Sequence, residues 1–154
     1  MFQKISHHCS GAGLLLLRLA LGIIFIAHGY QKFNEFGAEG FALFLMSLGV
    51  PMPLFFAWIV IIVEFVGGIL LILGALTRLA GILIAINMMV AIFLAHIPNG
   101  IFVSNNGYEF ALILFAAALS LVFTGPGCFA IDSWCEKRKK EGSHVFNNSS
   151  LQGE

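Results

Sequence analysis

Four apolar stretches divide the chain, each bounded by polar or turn-forming residues. They run from Leu14 to about Gln31, Leu54 to Leu76, Leu79 to Ile97, and about Tyr108 to Phe123. A helix rises ~1.5 Å per residue and a bilayer core takes roughly 20 apolar residues, so each stretch reads as a membrane span. The fourth is the shortest and is expected to borrow a turn at either end. Spans two and three abut at Leu76-Thr77-Arg78-Leu79. Together they are far too long for one crossing, so Arg78 marks a hairpin and Thr77 is the expected N-cap of the third span. Pro51 and Pro53 suit the entry of span two. Pro98-Asn99-Gly100 closes span three, and Gly125-Pro126-Gly127 closes span four. Between spans one and two, the apolar run Phe41–Leu48 is too short to cross. A short helix at about 38–48, lying in the interface or tucked against the bundle, fits it better.

The pattern therefore predicts an all-α polytopic membrane protein, a four-transmembrane-helix bundle with a short interfacial helix between spans one and two. Residues 1–13 form an N-terminal segment, 14–133 the transmembrane domain and 134–154 a polar tail. Composition agrees: 59% of the 154 residues are hydrophobic and 10% charged, against about 45–50% and about 25% in soluble domains. Eight basic and eight acidic residues balance, so no basic field points to nucleic acid. Lys4 before an apolar stretch raises a signal peptide, but Arg18 interrupts that stretch and HGYQKF stands where a small-residue cleavage site belongs. Lys and Arg cluster at Lys4, Arg78 and Lys137–Lys140, on the side of the termini, while the opposite side carries Lys32 alone. The bias places both termini in the cytoplasm. On that side the Asn147-Asn148-Ser149-Ser150 acceptor pattern is not a glycosylation site, and the EKRKK cluster is read as a topology signal that could also touch anionic lipid.

Three ionisable residues stand in or beside span one. At 100° per residue, Arg18 and Lys32 lie about 40° apart on the wheel and His28 about 80° from Arg18, with Gly22, Phe25 and Gly29 on the same stripe. In span two Glu64 shares a face with Ala57, Gly67, Gly68, Leu71 and Ala75. Asn87 in span three sits with Ala80 and Ala91, and Glu109 in span four with Ala116, Ala117 and Ser120. Each helix thus has one small-and-polar face suited to close packing. Intramembrane charges are candidate site residues, which singles out Arg18, His28, Lys32, Glu64, Asn87, His96 and Glu109 as ligand-binding candidates. Each also has a structural reading. Arg18 is expected to reach Glu64 as an internal ion pair, Lys32 to snorkel to headgroups, and Asn87 to bond across the bundle. His28 reads as a satisfied interfacial histidine or a ligand group, and Glu109 as a hydrated helix start.

His28 and His96 at similar depth raise a haem reading. Against it, His96 lies nine residues from Asn87, about 180° round an ideal helix, so the two are not expected to face one centre. Cys9, Cys128 and Cys135 form no metal or redox spacing, and no metal site is expected. Phosphate loops and nucleophile elbows are also missing from the sequence.

RLALGIIFIAHGYQKF (Arg18–Phe33), GFALFLMSLGVPMP (Gly40–Pro53), EFVGGILLILGALTRLAG (Glu64–Gly81) and GPGCFAID (Gly125–Asp132), in that order, resemble the DoxX family of small four-span bacterial membrane proteins. The likeness covers about residues 13–133. It implies a four-helix bundle in the inner membrane and an association with quinone-linked oxidoreductases or complexes handling oxidative stress. Arg18, His28, Gly29, Lys32 and Glu64 match the family's recurrent polar pattern, while Cys128 stands where a basic residue is frequent. Without a flavin, iron–sulfur or copper site of its own, the chain is not expected to be catalytic alone. The expected role is a membrane subunit whose polar pocket holds a quinone, with the redox centre on a partner protein and a homo-oligomer open. The alternative is a non-catalytic anchor or assembly factor whose buried Arg, Glu and His groups are structural. Solute transport is weaker, because neither broken helices nor inverted repeats are visible.

Overall fold

The computed structural model of the protein describes residues 2–135 and Arg138, with side chains described from Gly11 onward. The expectations for the rest of the polar tail lie outside the described residues. Among the described residues five bounded α-helices follow one another: α1 (Phe2–Asn34), α2 (Gly37–Ser47), α3 (Pro53–Leu73), α4 (Thr77–Ala91) and α5 (Glu109–Thr124), and residues 131–135 are helical too. No strand occurs among the described residues. The segments Gly11–Asn34, Pro53–Leu73 and Thr77–Asn99 are long and apolar enough to cross a membrane, and α5 is a shorter apolar helix of 16 residues. The protein is an all-helical membrane bundle. Helix α1 runs on from the first span to Phe2 without a break.

Helix α1 packs along α3, α3 on α4 and α4 on α5, while α2 lies on α3 and α1 and touches α4 and α5 little. Two faces make the close α1–α3 approach. A Cβ on Gly22 would sit 2.7 Å from the Gly68 carbonyl oxygen, one on Gly68 2.8 Å from that of Gly22, and one on Gly29 2.7 Å from the Phe65 nitrogen. Backbones this near each other gain dispersion contacts that lipid does not offer, which is what associates helices in a membrane. Gly81 does the same for α4 against Ala118 and Val122 on α5. Leu21, Phe25, Leu71, Ile84, Ala118 and Leu121 fill the centre. The outer circumference is the reverse of a soluble protein's: Ile23, Ile62, Val66, Ile86, Ile113 and Phe123 are all exposed. Apolar surface this extensive is stable only against lipid.

Two ends can be told apart. The proximal end holds the α3–α4 hairpin and the Gly125–Asp132 segment; the distal end holds α2 and the loop 100–107. At the hairpin Gly74 takes a left-handed C-cap conformation (φ 65°) and Leu76 is left-handed too (φ 48°). Thr77 is not the N-cap, as the sequence suggested, but the first helical residue, and its hydroxyl is buried without a partner among the described residues. The capping is done from far along the chain: Asp132 Oδ1 accepts from the Leu76 N–H and Oδ2 from the Thr77 N–H, both at 2.9 Å. A carboxylate at a helix N-terminus satisfies orphan donors and favours the helix dipole.

At the distal end α4 widens into a π-helical turn over Ile92–His96 and tightens into a 3₁₀ turn over Ile97–Asn99. Pro98 explains this. Its ring cannot donate to, and clashes with, the carbonyl four residues back, so the helix must change its hydrogen-bond spacing before it. Asn99 Nδ2 then donates to the Ala95 carbonyl at 3.0 Å.

Candidate functional site

Glu64 lies midway along α3 and its side chain is only 3% exposed. Both its oxygens are engaged. Lys32 Nζ donates to Oε2 at 2.7 Å and Asn87 Nδ2 donates to Oε1 at 3.0 Å. An unpartnered carboxylate in lipid is costly, so a salt bridge and an amide from neighbouring helices are what make this position tenable. The glycine contacts set the geometry: Gly29 presses α1 onto Phe65, one residue from Glu64, and Lys32 follows three residues later on the same face. The Lys32 ammonium also stands 5.4 Å from the centroid of the Phe41 ring on α2, within cation–π range. Lys32 therefore turns inward rather than snorkelling to the headgroups. A carboxylate in reach outcompetes the longer path to water.

This cluster lies on the wall of a cavity of about 340 Å³ that extends from mid-depth to the distal end. His28, Lys32, Glu64, Asn87 and His96 all line it, among Phe25, Phe41, Val60, Met88, Leu94 and other apolar side chains. Five of the seven candidate residues thus meet at one place. His28 makes no side-chain hydrogen bond to a described residue, so its ring nitrogens are available to whatever occupies the cavity. The expectation that Asn87 and His96 face different ways fails because the π turn between them slows the helix's rotation and returns His96 to the cavity side. His96 Nδ1 is 2.8 Å from the Asn106 carbonyl oxygen. That oxygen can only accept, so Nδ1 carries the proton, and a neutral His96 is left with Nε2 as an acceptor.

Arg18 and Glu109 lie elsewhere. Arg18 is fully buried, but it does not reach Glu64. Its Nε donates to the Leu71 carbonyl at 3.1 Å, Nη1 to the carbonyls of Pro126 at 2.5 Å and Cys128 at 3.5 Å, and Nη2 to that of Phe129 at 3.0 Å. Leu71 is seven residues from Glu64, about 10 Å along the helix axis, so Arg18 is occupied two turns away. It binds the end of α3 to the Gly125–Asp132 segment through backbone carbonyls. Glu109 heads α5 and accepts the Val103 N–H at Oε1, pinning the loop that covers the cavity's distal end. Asp132, which caps α4, was not among the expected residues, because nothing in the sequence joins it to a hairpin 55 residues away. Among the described residues no group of three His, Cys, Asp or Glu side chains could hold a metal ion.

The family model described as DoxX matches residues 13–97. The chain is 36% identical over 131 residues to a Bacillus subtilis protein named "Putative oxidoreductase CatD", covering 85% of this chain and 92% of that one. It is 35% identical over 124 residues to "Inner membrane protein YphA" of Escherichia coli, covering 77% and 87%. With "Inner membrane protein YqjF" of the same organism it shares 31% over 126 residues, covering 82% and 94%. No solved structure matches the chain.

Proposed function

The chain belongs to the DoxX family, and from that premise we propose that it is the inner-membrane subunit of a redox complex, with a quinone or a similar lipid-soluble ligand held in the distal cavity. One observation carries the reading: a mainly apolar cavity on which an ammonium, an amide and two imidazoles converge. Small-molecule sites have this make-up, an apolar lining with a few polar groups that fix orientation, at volumes of about 300–1,000 Å³. The residues fit a quinone ring, whose two carbonyl oxygens need donors. Lys32 gives one of its three N–H donors to Glu64 and keeps others, Asn87 keeps the second hydrogen of its amide, and His28 supplies a ring N–H. Glu64 holds the ammonium and the amide in place and acts as the counter-charge.

Reduction of a quinone takes up two electrons and two protons. On this reading the electrons come from a redox centre on a partner protein. The protons are handled by the chain: His28 and Lys32 are the donors beside the ring, and His96, bound to the covering loop, links the cavity to the distal surface. We further propose that the distal side is the outside and both termini are cytoplasmic, on the Lys and Arg bias. The name of the Bacillus relative is in keeping with an oxidoreductase.

The test is quinone content. Protein purified in mild detergent is extracted and its quinone counted per chain, alongside His28→Ala and Glu64→Gln. Near one quinone in the wild type and none in either variant, at equal expression, is expected; equal content in all three refutes the site. An anchor or assembly role is favoured by one fact, that Glu64 is fully satisfied within the chain. On that reading the variants lose stability and no ligand is found.

A further inference from the structure

The cavity's walls differ in what lies behind them. Its distal roof is the loop 100–107, from which Val103, Asn106 and Gly107 reach the lining. That loop is fastened at every turn. The Tyr108 N–H donates to the Gly100 carbonyl at 3.1 Å and the Glu109 N–H to that of Ile101 at 3.0 Å, while Glu109 Oε1 takes the Val103 N–H and His96 Nδ1 donates to Asn106. Gly107 is buried, and a Cβ there would clash with the Gly100 carbonyl oxygen. The floor is core: Phe25 is 1% exposed, and Ala111 and Leu114 5% each.

The side wall is different. Phe44 on α2, Val90 on α4 and Leu94 in the π turn belong to the lining, yet they are 48%, 48% and 42% exposed. Helix α2 rests on α3 and α1 and touches α4 little, so the cavity lies unclosed between α2 and α4. At this depth the exposed surroundings are hydrocarbon. His28, Lys32, Glu64 and Asn87 are at the inner wall and His96 and Asn106 at the roof, whereas Phe44, Val90 and Leu94 at this opening are apolar.

Resting on the reading of the cavity as a ligand site, we infer that it is entered sideways from the distal leaflet, between α2 and α4, and that its ligand is an amphiphile with one apolar chain. The hydrogen-bonding head lies against Lys32, Asn87 and His28, and the chain leaves past Phe44, Val90 and Leu94 into lipid. A head without a chain loses the contacts along the opening, and water-borne entry is barred by the fastened roof. The opening also sets the order of the ligand, with head deep and tail out.

The experiment compares two benzoquinones with the same substituted ring, one without a tail and one with a ten-carbon tail, on the full chain in lipid nanodiscs, with uptake by empty discs subtracted. The decyl compound is expected to bind at least about tenfold more tightly. Leu94→Trp, at an exposed position that should not disturb folding, is expected to weaken the decyl compound about tenfold and leave the tail-less one within about twofold; Val90→Trp serves as the second variant. Equal affinity of the two quinones, or equal loss of both in the tryptophan variants, overturns lateral entry while leaving the site standing. If neither quinone binds the wild type above empty discs, the ligand-site reading fails, and with it this inference.

Discussion

Arg18 and Glu64 are the two buried charges among the described residues, and they stand in separate clusters rather than in one pair. That separation can be measured with two double-mutant cycles. Arg18→Met removes donors from the carbonyls of Leu71, Pro126 and Phe129 at once. Buried acceptors left bare cost about 1–3 kcal/mol each, so the loss should be at least about 3 kcal/mol. Glu64→Gln keeps an amide oxygen for Asn87 but removes the charge facing Lys32, and Lys32→Met removes the other partner. The coupling between Lys32 and Glu64 is expected at about 1–2 kcal/mol, near the upper end of what buried polar pairs reach within membranes. Arg18, bonded to Leu71 about 10 Å along α3 from Glu64, shares no partner with Glu64, so the two should add within about 0.5 kcal/mol.

Reversible unfolding in mixed detergent–lipid micelles, followed by far-ultraviolet circular dichroism, gives the six free energies needed. A coupling above about 1 kcal/mol between Arg18 and Glu64 would restore the ion pair that the wheel suggested and refute the assignment of partners here. A Lys32–Glu64 coupling at zero would remove the clasp at the cavity wall.

Gly29→Ala should drive α1 away from Phe65 and lower stability by about 1–3 kcal/mol, the range for overpacking, while Gly13→Ala, with open space around it, should change little in the same unfolding assay. Asp132→Ala should uncap α4 and lower stability by about 1–2 kcal/mol, with faster amide exchange at Leu76 and Thr77. Glu109→Ala should free the Val103 N–H and speed exchange in the loop 100–107 without altering the proximal end. Reporter fusions after Ser47 and Cys135 should show the first outside and the second inside; the opposite result reverses the proposed orientation.

What the sequence could show here was direction around a helix, and what it could not show was depth and change of phase. Hydropathy and turn residues placed the spans, and the wheel put Arg18, His28 and Lys32 on one inward stripe, where they are found. The same wheel left the partner of Arg18 to a guess, because carbonyls at a helix end carry no sequence signature and the acceptors are 53 to 111 residues away. His96 was turned the wrong way for a local reason that Pro98 had already announced: a proline two residues on forces the wide turn that rotates it to the cavity. Lys32 failed differently. Whether a lysine near a span end snorkels depends on whether a carboxylate is nearer than water, and that was decided by Gly29 and the approach of α3, not by Lys32's own surroundings in the chain. The cavity has the same origin. It exists because α2, too short to cross, rests on α3 and α1 while Pro98 bends the end of α4, and only the packing of these two irregular elements leaves room between them.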